Sequence, residues 1–241
     1  MDVPFDVLLI VASYYTKPKM KLLDWIPEYK LDWNWLSSNP NAIHMLEANP
    51  DKINWGFLSF NPNAIHMLEA HLDIICWNYL SLNCNAIHML EANPIKIDWT
   101  CLSENPNAIH LLEANYNKID WKRLSANPSA IHMLEANPDK INWNTLSYNR
   151  NAIHMLKANP EKIDWANLSF NPNAIHMLEA NLNKINWTWL SSNPNAIHIL
   201  KAHPNKIRWD FLSKNPSIFE IDTKQLYIDT IKKAKYIDYY L

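Results

Sequence analysis

The sequence predicts an all-α solenoid, on three observations. Tryptophan recurs at Trp33, Trp55, Trp77, Trp99, Trp121, Trp143, Trp165, Trp187 and Trp209, nine times at an interval of 22 residues with no insertion or deletion. A fixed period of this size means one small supersecondary unit stacked on itself. Each interval also carries two helix starts. Finally, a unit buries about seven apolar side chains worth about 1.5–3 kcal/mol each, while ordering its residues costs about 1–2 kcal/mol apiece. A single 22-mer is therefore unstable, and stacking supplies the missing burial.

The chain divides into residues 1–30, an N-terminal cap; 31–214, the repeats; and 215–241, a degenerate half unit with a C-terminal capping helix. Eight full units run from Asn39 to Lys214 behind a half unit, 31–38. The unit 39–60 reads NPNAIHMLEANPDKINWGFLSF. Asn39 accepts free N–H groups of a first turn, and Pro40 at the first helical position loses only a donor without a partner. Ala42, Ile43, Met45 and Leu46 lie within about 160° of one another at about 100° per residue, an apolar stripe facing a core. Helix A is expected over Pro40 to Ala48, stopped by Asn49 and Pro50.

A second cap stands at Asn54, with Asp98, Asp120, Asp164, Asn142 and Asn186 at equivalent positions. It starts a short helix B with Trp55, Leu58 and Ser59 on one side and 56, 57 and 60 on the other. With layers about 8–10 Å apart, nine layers predict a rod or arc roughly 70–90 Å long. The alternation of Ile53 and Trp55 also admits a parallel β-ladder of leucine-rich type. The LxxLxLxxN signature is missing, however, and proline at both helix starts favours all-α. Terminal caps are expected in the apolar segment Val7–Tyr15 with LLDWIP (22–27), and in an amphipathic helix carrying Leu226, Ile231, Ala234 and Ile237.

Composition narrows function. The 241-residue chain has a formal net charge of −2, which gives no general attraction to nucleic acid or anionic lipid. Val7–Ala12 is too short to span a bilayer, and Asp2 and Asp6 stand where a signal peptide carries positive charge. Cys76, Cys84 and Cys101 form no CxxC pair, which suits a reducing, cytoplasmic setting. No phosphate loop is possible with one glycine, Gly56, and eight copies of the same residues do not make one asymmetric catalytic constellation. The reading is a monomeric non-enzyme without cofactor or metal.

The pattern NPxAIHxLExNPxKIxWxxLSxN resembles the short tandem repeats of large paralogous protein sets encoded by giant DNA viruses of amoebae. The likeness covers nearly all of Asn39–Asn215, and LLDWIPEYKLDW is similar to the usual lead-in. The resemblance implies an origin and a host-cell or virion setting, not a reaction, because the family has no assigned activity. Departures are local: Cys84 and Arg150 replace proline, and His71 and His203 replace asparagine.

Two features are candidate sites. His44, His66, His88, His110, His132, His154, His176 and His198 form a ladder opposite the apolar stripe of helix A, each beside the residue three positions on, such as Glu47. It is a candidate pH switch, since histidine titrates near neutrality; metal binding is the lesser reading and simple duplication the bland one. The second feature is variability within a fixed frame. Two positions after each tryptophan and one after each serine vary freely and collect aromatic residues: Trp35, Phe57, Phe60, Tyr79, Tyr148, Phe170, Trp189 and Phe211, with Arg123. Aromatic and arginine side chains dominate interface energetics. This stripe is expected to be the surface that binds a protein partner, host or viral, in a scaffold or adaptor. The alternative is a structural component of a virion or viral factory that assembles with itself.

Overall fold

In a computed structural model of the chain, which describes residues 19–229, the repeats are short helices at the expected spacing. The fold class is the one expected, an all-α repeat solenoid. The chain falls into two compact units: residues 29–217, which hold the repeats, and a second formed by 1–28 with 218–241.

Most repeats contain three helical pieces or more rather than two; in 61–82 the middle piece is only a turn at 72–74. Helix A is α-helical over five or six residues, as in Ile43–Glu47 and Ile87–Ala92, shorter than the expected nine. Asn39 caps only the turn before it: its Oδ1 accepts the N–H of Asn41, while Ala42, with no side-chain cap, precedes the α-helix. The stop residues start a 3-10 turn, Pro50–Lys52, because proline pre-sets the φ of a first helical position. Helix B, for example Trp55–Leu58, begins as the sequence indicates, with Asn54 Oδ1 accepting the N–H of Phe57.

The core is a column of leucines and alanines. Leu46, Leu58, Ala42 and their equivalents in the other layers are 0% exposed. Alanine recurs here because each layer lies flat on the next. Between layers runs a ladder of buried asparagines. Asn61 Nδ2 donates to Ser37 O and Asn39 O of the preceding layer, and Asn83, Asn105, Asn127, Asn149, Asn171, Asn193 and Asn215 repeat this. Each amide is satisfied at both ends, which is what permits so many buried polar groups. Serine forms a second ladder: Ser59 Oγ donates to Trp55 O and accepts the N–H of Cys76 one layer on.

These ladders have no ends. Asn39, in the first full unit, donates to Ser213 O at 2.9 Å and Asn215 O at 3.0 Å, the pair of bonds made at every other step. Ser213 Oγ accepts the N–H of Asp32, and Asn41 Nδ2 donates to Pro216 O, as Asn63 does to Pro40 O. The last layer thus seats the first, and residues 29–217 close into a ring rather than the expected open rod or arc. The half units 31–38 and 215–217 supply the two parts of the ninth layer. Nine asparagines and nine tryptophans go round without a break.

In the other compact unit, strand β1, Met20–Leu22, pairs antiparallel with β2, Phe219–Ile221, with Lys21 opposite Glu220. Leu23 N–H donates to Ile218 O and extends the pairing. Asp222 caps the helical residues 223–229 through its Oδ1 and the N–H of Gln225. The expected cap elements at Val7–Tyr15 and at Ile231, Ala234 and Ile237 lie outside the described residues.

Candidate functional site

Closure gives the ring two faces, and helix B lines the inner one. Helix B of Trp33–Ser37 lies against that of Trp55–Leu58, Trp77–Leu82 against Trp99–Leu102, and Trp187–Ser191 against Trp209–Leu212, closer than any two neighbouring helices A. The decisive residue is Lys214. Its Nζ sits over Trp35 at 4.6 Å, Phe211 at 4.9 Å, and Phe170 and Trp189 at 5.4 Å each. Those rings belong to four successive layers, which on an outward surface would spread over roughly 25–30 Å. One lysine reaches all four only across the inside of a ring.

The variable stripe therefore lines the lumen. The structure brings most of its aromatic members into one chain of ring contacts. Tyr79 stacks on Phe57 at 5.7 Å, Phe57 meets Trp35 at 4.8 Å, and Trp35 stacks on Phe211 at 5.7 Å across the closing seam. Phe211 meets Trp189 at 5.4 Å, Trp189 meets Phe170 at 6.2 Å, and Phe170 meets Tyr148 at 4.7 Å. These are the offset and edge-on separations that aromatic pairs favour. Arg123 instead pairs with Glu104 of the preceding layer at 2.9 Å, and Phe60 is exposed.

Two titrating groups of the wall are shifted by burial. Burial holds the Tyr148 hydroxyl well above the usual phenol range, with Glu104 adding to the effect. Burial lowers Lys214 to about 8, against a small opposing pull from Asp210, which itself pairs with Arg208. An ammonium less basic in the fold than in the open chain weakens the fold while both states are protonated. Stability should therefore rise between pH 8 and 10.5, where the unfolded chain still holds the proton. The melting-temperature gap between wild type and Lys214→Met is expected to narrow over that window; a constant gap would contradict it.

The histidine ladder lies outside, but its partners differ from those expected. Six of the eight histidines meet a glutamate 19 residues earlier, in the preceding layer, rather than the one three positions on. His66 Nε2 stands 3.1 Å from Glu47, His88 2.9 Å from Glu69, and His198 2.8 Å from Glu179. His110, His132 and His154 pair likewise with Glu91, Glu113 and Glu135 at 3.2 Å. His176 follows a layer with Lys157 in the glutamate position and makes no such pair among the described residues; His44 belongs to the layer at the seam. The pairs are about half exposed, so each is worth about 0–1 kcal/mol.

Two features escaped the sequence reading. The lysine of the NPxKIxW segment lies over the tryptophan of the preceding layer: Lys52 over Trp33, Lys118 over Trp99, Lys162 over Trp143 and Lys184 over Trp165, at 4.2–4.4 Å. Such cation–π contacts add about 0.5–1 kcal/mol each at exposed sites. Where Ile74 replaces the lysine, His71 covers Trp55 instead, 4.6 Å away. The other is Lys214, whose only signal was being the one lysine among the positions after each serine.

Compared with known families, residues 51–237 match the family model described as periplasmic copper-binding protein (NosD). By this match the chain belongs to the NosD family. The matched span begins within the first full unit and runs past the last one. No curated protein and no solved structure matches the chain.

Proposed function

We propose that the ring is a non-enzymatic binding scaffold that engages a protein partner, host or viral, through the aromatic wall of its lumen. One observation carries the reading: the frame residues repeat almost without change, while the wall differs in every layer and collects tryptophan, tyrosine and phenylalanine. A rigid frame with a variable aromatic surface is how binding proteins separate stability from specificity. Closure also favours a discrete ring over a self-assembling filament, because neither end of the stack is left bare to receive another copy. The viral resemblance of the unit and three unpaired cysteines support a reducing cytoplasmic setting.

The family description names copper, and the donors in this chain are few. Among the described residues no three of His, Cys, Asp and Glu converge on one point. The outer pairs offer one imidazole and one carboxylate each. Burial pushes the Cys84 thiol up, and burial with nearby Asp98 pushes Cys101 up to about 11, which disfavours the thiolate a soft metal binds. These residues do not fit a copper centre.

The test compares proteins captured by three folded rings: wild type, one with Phe57, Tyr79, Phe170 and Trp189 changed to serine, and one with the outer His66, His88, Glu47 and Glu69 changed to serine. The wall variant is expected to lose the wild-type partner and the outer variant to keep it. Loss on the outer variant with retention on the wall variant would overturn the reading.

A further inference from the structure

Lys214 and Ser192 both have unmet hydrogen-bonding capacity. The Lys214 ammonium meets four aromatic faces, but among the described residues no carboxylate or hydrogen-bond acceptor reaches it. Its nearest acid, Asp210, is taken by Arg208 at 3.1 Å. Ser192 is 3% exposed, and its Oγ has no hydrogen-bond partner. By contrast Ser38, at the same repeat position two layers away, donates to Trp35 O at 2.7 Å. A buried hydroxyl without a partner is uncommon in a folded protein and calls for an explanation, as does a desolvated cation without a counter-charge.

The two groups share one stretch of wall. Ser192, Lys214 and Ser38 occupy the same position in three successive layers, so the lysine is flanked on both sides by the small side chain of a serine. Lys214 Nζ comes within 5.4 Å of Phe170, which holds that position in the layer beyond Ser192. Flat aromatic surfaces, small neighbours and two unpartnered polar groups in adjacent layers are the ingredients of a small-molecule site.

We propose that the lumen binds a small organic anion, a carboxylate or phosphate ester with a flat apolar body, its charge on Lys214 and Ser192 Oγ and its body against Trp35 and Trp189. Lys214 supplies the charge and up to three N–H donors, and Ser192 donates one hydrogen bond. The aromatic walls accept a planar group by stacking and exclude the water that would weaken the ion pair. Arg123, spent on Glu104, does not compete for the anion. This site rests on the unmet groups of Lys214 and Ser192 rather than on the variability of the wall, so it stands or falls apart from the protein-partner reading.

Calorimetric titration of the full chain with benzoate, phenyl phosphate, inorganic phosphate and neutral benzamide tests it. Wild type is expected to bind benzoate and phenyl phosphate saturably at one site per chain, each at least about tenfold tighter than benzamide or inorganic phosphate. Lys214→Met, which keeps an unbranched apolar stem, should lose that preference; Lys214→Arg should retain it, and Ser192→Ala should weaken binding by about three- to tenfold. Circular dichroism confirms that each variant is folded, and Lys214→Arg keeps the test decisive if Lys214→Met is not. Absence of saturable binding to wild type, equal binding of benzamide, or undiminished anion binding by folded Lys214→Met would overturn the proposal.

Discussion

Asn39→Asp is expected to destabilise the protein by about 3–5 kcal/mol at pH 7, although it is nearly isosteric and lies at the very start of the full units. The amide of Asn39 donates two hydrogen bonds across the seam, to Ser213 O and Asn215 O, from a site that is 0% exposed. Aspartate has no amide donors to replace them. It leaves two buried carbonyls unpaired at about 1–3 kcal/mol each, and either places a carboxylate against them or takes up a proton to avoid doing so. Below pH 4 the carboxyl is protonated folded and unfolded alike, so the loss should shrink there. Urea denaturation at the two pH values measures it. Asn127→Asp, in mid-array, makes the same bonds to Ser103 O and Asn105 O and should cost the same. In an open rod, Asn39 would stand at a frayed end and its substitution would cost little.

Leu36→Ala carries the second large effect, about 3–4 kcal/mol. Leu36 sits in helix B, Trp33–Ser37, of the half unit that the first residues of the array contribute. It is 0% exposed, as is Leu124 in the middle of the array. Truncating a fully buried leucine removes its transfer free energy and leaves a cavity, for about 2–5 kcal/mol. Covered on both sides, Leu36 should behave like Leu124, and the two alanine variants should agree within about 0.5 kcal/mol. The amide of Leu36, donated to Asp32 O, should also exchange with solvent as slowly as that of Leu124, donated to Asp120 O. Faster exchange at Leu36 would show a terminal layer that opens by itself.

Periodicity made the local architecture legible. The tryptophan interval, the cap at Asn54 and the Ala–Leu stripe identify the units, their approximate helices and the core, because each depends on residues a few positions apart. Closure did not show, since it depends on the small rotation each layer adds, which accumulates over nine units and is encoded in packing rather than in any one motif. Two clues were nonetheless present. The array begins with the second half of a unit, 31–38, and ends with the first half of another, from Asn215. Asparagine holds its place in all nine layers, although capping alone would also accept serine, threonine or aspartate; only an amide can accept in its own turn and donate twice to the layer below.

The site was half legible for the same reason. Helical spacing put Trp35, Phe57, Tyr79, Phe170, Trp189 and Phe211 on a common face, and they do share one. Whether that face looks out or in follows from the sense of curvature, which spacing does not give. Likewise the glutamate partner of each histidine lies in the neighbouring layer, out of reach of an argument confined to one helix.

Ring closure is tested most directly by a distance. Spin labels at Asp51 and Asn205, both exposed and in the first and eighth full units, are separated by two layers through the seam and by seven along the chain. With Cys76, Cys84 and Cys101 replaced by serine, double electron–electron resonance should give a single narrow distribution centred at roughly 20–30 Å, whereas an open array places the labels roughly 55–70 Å apart. A population at the longer distance in native buffer would contradict the closed ring.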